Sequence, residues 1–174
     1  MHFNRLYLII LIILFLSLLY SYYYFSKNAP NFQKLWGRIK DSQKNIYYGS
    51  VFITLVAFMI FLYYLGISNS FNDDNKTNNQ ITKLFAILVI FLLLSISWTP
   101  MSLNYLNKKS ISLKYQIILI LFLIPLSLIY PIYVLYNLRD DKHKLLKNIS
   151  LVGIIYYCLH TFILDFILWC YNFF

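Results

Sequence analysis

The sequence contains no glutamate, and all six of its acidic residues are aspartates. Charged residues make up only 12% of the chain, which excludes a water-soluble globular domain, where the share is about a quarter. The four glycines are scattered, so no glycine-rich phosphate loop can be drawn. The two cysteines, Cys158 and Cys170, belong to no C-x-x-C or His/Cys cluster, so zinc and thioredoxin-like chemistry have no motif. On a helix they would stand about 18 Å apart, too far for a mutual disulfide. No serine lies in a G-x-S-x-G context. These absences give catalysis no foothold, and we expect neither an enzyme, nor a metal, nor a resident cofactor.

What the chain has is apolar length. Hydrophobic residues make up 60% of its 174 positions, and they gather in five runs at 6–25, 46–67, 84–106, 115–138 and 149–174. About 20 helical residues cross the hydrocarbon core of a bilayer. The expected fold is therefore all-α, a polytopic membrane bundle of five transmembrane helices forming one domain over residues 1–174. For the first run, a cleaved signal peptide is the competing reading. Its apolar stretch would be shorter and end in an A-x-A-like site, whereas here Tyr22, Tyr23, Tyr24 and Phe25 follow as an interfacial belt. We expect a retained span.

The formal charge of +9 comes from 15 Lys and Arg, none of which lies within a run. Bases that flank spans set topology and contact anionic lipid head groups, so the expected partner is the bilayer and not nucleic acid. The first run has one base before it and five in the loop after it, which favours an N-terminus outside or lumenal and a C-terminus in the cytoplasm.

The connections carry their own expectations. In the first loop, Phe32, Leu35, Trp36 and Ile39 follow helical spacing, with bases opposite, as in a short interfacial helix. In the second run, Ser50, Thr54 and Ala57 form a small-residue ridge that admits a close helix, either from a second copy in a homodimer or from the same chain. The polar loop 68–83 holds the sequon Asn75-Lys76-Thr77 and nothing that can bury a core. A second sequon, Asn148-Ile149-Ser150, sits at the membrane boundary. The short link 107–110 makes the third and fourth runs antiparallel neighbours, and Pro125 and Pro131 should kink the fourth.

An ionisable side chain inside a span is a functional candidate by default, and only His160 and Asp165 qualify. At α-helical spacing Tyr157, Thr161, Asp165, Leu168 and Asn172 share a face about 80° wide, with Cys158 and Trp169 at its edge. His160 falls roughly 100° or more from the centre of that face, so it is a poor partner for Asp165 along one helix. In the third run Ser95, Trp98, Thr99 and Ser102 follow i, i+3, i+4, i+7. If the two faces meet, they enclose a polar, aromatic-lined cavity at membrane depth. Ser95, Trp98, Thr99, Ser102, Tyr157, Thr161, Asp165, Trp169 and Asn172 are thus the candidate ligand-binding residues. Two rival readings stand beside this one. The stripes serve only to pack helices in a structural or assembly protein, or Asp165 and His160 belong to a proton or ion pathway.

Two stretches also carry a family resemblance. Leu94-Ser95-Ile96-Ser97-Trp98-Thr99-Pro100 resembles the third-helix pattern L-N-x-x-W-S-P of the tryptophan-rich sensory proteins and mitochondrial translocator proteins, the TspO/MBR family. Leu164-Asp165-Phe166-Ile167-Leu168-Trp169-Cys170-Tyr171-Asn172 resembles its fifth-helix pattern L-N-x-x-x-W-x-x-N. The five-span layout and the basic, Trp-containing first loop are similar too. The departures are a missing W-x-P-P run, Gly153-Ile154 in place of Pro-Tyr, Tyr157 in place of tryptophan and Asp165 in place of asparagine. The chain also resembles uncharacterised five-span proteins encoded by AT-rich giant DNA viruses. The family resemblance implies a pocket for a porphyrin or sterol-like ligand, with Trp98, Tyr157 and Trp169 stacking on it and Asp165 or Thr161 supplying a polar contact.

Overall fold

The computed structural model describes residues 5–68, 75–138 and 140–174, with side chains from residue 79 onward in the second stretch. The helices are α1 (Arg5–Asn28), α2 (Asp41–Ile67), α3 (Asn75–Lys108), α4 (Ile111–Asn137) and α5 (Lys144–Phe173). All five are long and apolar enough to cross a membrane, and no strand occurs among the described residues. The fold is the five-helix membrane bundle that the apolar runs imply.

Each helix outruns its apolar stretch, because hydropathy marks the membrane and not the end of the hydrogen-bonded turn. The clearest correction is at 68–83, which is not a loop throughout. The backbone of α3 starts at Asn75, and Ile81 and Leu84 are already buried, extending the inner stripe of Leu88, Phe91 and Leu92. Asn79, Gln80, Thr82 and Lys83 on the other face are exposed. The side chains of the Asn75 sequon, with Asp73, Asp74 and Arg139, lie outside the described residues. The second sequon falls inside α5, where Ser150 is fully buried. Both prolines of α4 are buried, and the helix continues through them. The link to α4 is as tight as expected: Lys109 takes a left-handed φ of 48°, and its N–H donates to the Tyr105 carbonyl, closing α3.

In the bundle α1 packs on α3, α3 on α4, α4 on α5 and α5 on α2, and only sparse contact closes the ring between α2 and α1. In a bilayer, packing of this kind and not exclusion from water holds helices together. Leu11, Phe58, Phe61, Leu65, Leu88, Phe91, Leu121 and Leu128 form its fully enclosed centre. The small-residue ridge of α2 is used inside the chain. Gly153 of α5 lies so close to Ala57 that an added Cβ would stand 2.9 Å from the alanine methyl. Ser50, one end of the same ridge, bonds to His160 of α5. Ser50, Thr54 and Ala57 are accordingly buried within the chain.

The first loop also departs from expectation. Phe32–Trp36 forms a 3-10 turn whose Leu35 is buried, as is Ile39 beyond it, so the segment tucks into the bundle and does not lie flat on the interface. It is tied to the far end of α5. The Arg38 N–H donates to the Asn172 carbonyl at 3.1 Å, and the Arg38 guanidinium donates to the Tyr171 carbonyl at 2.7 Å. Trp169 Nε1 donates to the Leu35 carbonyl at 2.8 Å. Gly37 permits this approach: its φ is +53°, and any Cβ there would run into the Asn172 carbonyl.

Candidate functional site

The segment Thr161–Trp169 of α5 is π-helical, and this determines which residues face inward. A π-helix closes its hydrogen bonds from i to i+5. Residues five apart then fall on one side, where an α-helix would set them well apart. His160 and Asp165 are such a pair, and Nε2 of the histidine stands 3.6 Å from Oδ2 of the aspartate. The α-helical wheel that separated them used the wrong period. The same shift exchanges two other residues. Trp169 points into the bundle and is buried, whereas Leu168, expected near the centre of the inner face, is exposed to the lipid side.

A cavity of about 470 Å³ lies between this stretch, α1, α2 and α3, roofed by the first loop. That volume is in the range of small-molecule sites, roughly 300–1,000 Å³. Seven of the nine candidate residues line it: Ser95, Trp98, Thr99, Tyr157, Thr161, Asp165 and Trp169. Ser102 and Asn172 do not. Ser102 is buried and donates to the Trp98 carbonyl at 2.8 Å, while the Asn172 amide donates to the Leu168 carbonyl at 2.7 Å. Both serve their own helix. Ser95 and Thr161 likewise donate to backbone carbonyls one turn earlier.

Aromatic rings form most of the wall. Trp98 and Trp169 meet edge to face at 5.2 Å, and Trp98 Nε1 donates to the Tyr22 hydroxyl at 2.7 Å. Tyr157 meets Phe91 edge to face at 5.3 Å. On the α2 side Trp36 of the first loop meets Tyr47 and Tyr48. The Tyr47 hydroxyl donates to the Leu164 carbonyl at 2.6 Å, which anchors α2 to the π-helical stretch. Edge-to-face pairs of this kind contribute about 0.5–1.5 kcal/mol each beyond their area, so the wall is a stiff one.

Against this apolar frame stand a few polar groups. Ser50 Oγ lies 2.7 Å from His160 Nδ1 and 2.7 Å from the Tyr156 hydroxyl. Serine, histidine and aspartate thus stand in a file, yet Ser50 is not among the residues that line the cavity. Asp165 and His160 therefore border the cavity, and the Ser50 hydroxyl lies behind them. Asp165 accepts no hydrogen bond from the described residues, since 3.6 Å to His160 is too long, and its side chain is 25% exposed. Thr99 Oγ1 is buried in the wall.

Sequence reasoning missed Tyr22, Trp36, Tyr47, Tyr48 and His160 as lining residues. Among 17 tyrosines none stands out by type, and the roofing role of the first loop depends on contacts 134 residues apart. No protein-family model, no curated protein and no solved structure matches this chain.

Proposed function

We propose that this multi-pass membrane protein binds a rigid hydrophobic ligand, of porphyrin or sterol type, in the cavity between α3 and α5. The observation that carries the reading is a roofed space of about 470 Å³ at membrane depth, walled by tryptophan and tyrosine, with the Asp165 carboxyl in its lining. A carboxyl that no group of the bundle engages is free to bond to a ligand. Aromatic walls with a few convergent polar groups suit planar polycyclic ligands. The TspO/MBR resemblance points the same way, with Trp98 and Trp169 at the matching motif positions. In this reading the basic first loop faces the cytoplasm with the C-terminus, and the N-terminus lies outside.

The test is saturable binding of protoporphyrin and of cholesterol to the purified protein in detergent, followed by tryptophan quenching. Wild type is compared with a Trp98→Leu, Asp165→Leu double variant of equal helicity. We expect binding in wild type and a loss of at least tenfold in the variant. No saturable binding in either would sink the proposal and leave the assembly role.

The polar file Tyr156, Ser50, His160, Asp165 gives the proton-pathway reading its one observation. It spans residues 156–165, roughly 13 Å of helix against about 30 Å of hydrocarbon. The next polar cluster, where Tyr64 and Ser68 donate to Asp140, lies at the far end of α2. The file is too short to be a pathway and fits a polar floor for the cavity.

A further inference from the structure

Asp165 is an acceptor that the bundle supplies but leaves unused, in a cavity whose lining contains no lysine or arginine. Of the charged groups nearby, Lys44 is held by Asp41 at 2.7 Å and lies 6.0 Å from the outer Trp36 ring. The Arg38 guanidinium is held by the Tyr171 carbonyl. His160 is the one ionisable nitrogen in the lining, and its Nδ1 is engaged by Ser50 while its Nε2 stays beyond hydrogen-bond distance of the carboxyl. Tyr22, Tyr47 and Tyr157 line the same cavity as Asp165, so the aromatic wall and the carboxyl face one space. A carboxyl ringed by tyrosine and tryptophan is the arrangement that recognises organic cations: the ring faces attract positive charge, and the carboxylate supplies the counter-charge.

We propose that the cavity selects a lipophilic organic cation, with its positive centre set between Asp165 and the rings of Tyr22, Trp98, Tyr157 and Trp169. This rests on the ligand-pocket reading above and specifies the polar end of the ligand. The lining holds no lysine or arginine to compensate an anion. The stepwise burden falls on Asp165: the isosteric amide keeps the shape of the site and removes its charge.

The test uses two ions of the same size and shape and opposite charge, tetraphenylphosphonium and tetraphenylborate. Their binding to the full chain in a non-ionic detergent is measured by equilibrium dialysis, with cholesterol as an uncharged third probe. The expected result is saturable binding of the phosphonium at least tenfold tighter than of the borate, with Asp165→Asn abolishing most of that ratio. Equal affinity for the two ions, or a ratio that persists in Asp165→Asn, overturns the inference. If the variant fails to fold, the wild-type ratio decides alone. Binding of cholesterol with no preference between the ions overturns the cation inference and leaves the pocket standing. Binding of none of the three overturns both.

Discussion

Leucine at position 153 is expected to drive α2 and α5 apart and to unfold the bundle at a much lower temperature than wild type. At the crossing of these helices a methyl on Gly153 would already stand 2.9 Å from the Ala57 methyl and 3.4 Å from its Cα. A leucine needs several ångströms more, and neither the Ala57 methyl, fixed to its Cα, nor the helix backbone behind it can swing aside. Overpacking a tight core costs about 1–3 kcal/mol, and at a backbone-to-backbone crossing the cost falls at the upper end or beyond. Separation there also strains the Ser50 to His160 bond and the Tyr47 to Leu164 bond, which tie the same two helices nearer the cavity. Thermal unfolding in detergent measures the effect. An Ala57→Gly change on the Gly153→Leu background should recover part of the loss, because it returns the space at the point of contact. A variant as stable as wild type, or one that Ala57→Gly fails to improve, contradicts the close crossing.

Trp169→Ala is expected to combine a loss of stability of about 3–5 kcal/mol with release of the first loop. The indole is buried, stacks on Phe173 at 4.2 Å, meets Trp98 at 5.2 Å and donates to the Leu35 carbonyl. It thus bridges the cavity wall and its roof. Its removal leaves the Leu35 carbonyl without its indole donor beneath the loop and opens the cavity toward Tyr171 and Asn172. Limited proteolysis reads the roof, with cleavage between residues 29 and 40 expected to become fast in the variant. Thermal unfolding reads the stability. Trp169→Phe should keep part of the packing but lose the hydrogen bond, so it should fall between the two in protease sensitivity. Unchanged cleavage in Trp169→Ala would mean that Arg38 alone holds the loop.

The bundle was legible in the sequence because a bilayer leaves few solutions: apolar runs of spanning length must form helices that satisfy their own backbone. The wall of the cavity was legible in part, since Ser95, Trp98 and Thr99 repeat at α-helical spacing on a helix that stays α-helical. On α5 the same reasoning failed at a definite place. Up to His160 the 3.6-residue period holds, and Tyr157 points inward as expected. From Thr161 the backbone is π-helical, so Asp165 turns toward His160, Trp169 replaces Leu168 on the inner face and Asn172 leaves the site. Nothing in the stretch from Phe162 to Trp169, apolar apart from Asp165, marks that change of period. The roof was hidden for another reason. Its amphipathic spacing is real, but whether Leu35 and Ile39 meet lipid or the bundle depends on Gly37 fitting under the end of α5, a contact distant in the chain.

Photoaffinity labelling reads directly whether a hydrophobic ligand sits in the roofed cavity between α3 and α5. A photoreactive sterol is crosslinked to the full chain in lipid vesicles and the modified peptides are mapped by mass spectrometry. The account predicts labelling concentrated on cavity residues such as Tyr22, Trp98 and Tyr157, and suppressed by excess unlabelled sterol. Labelling spread over lipid-facing positions such as Tyr63, Leu119 and Tyr133, with no suppression by the competitor, would contradict it.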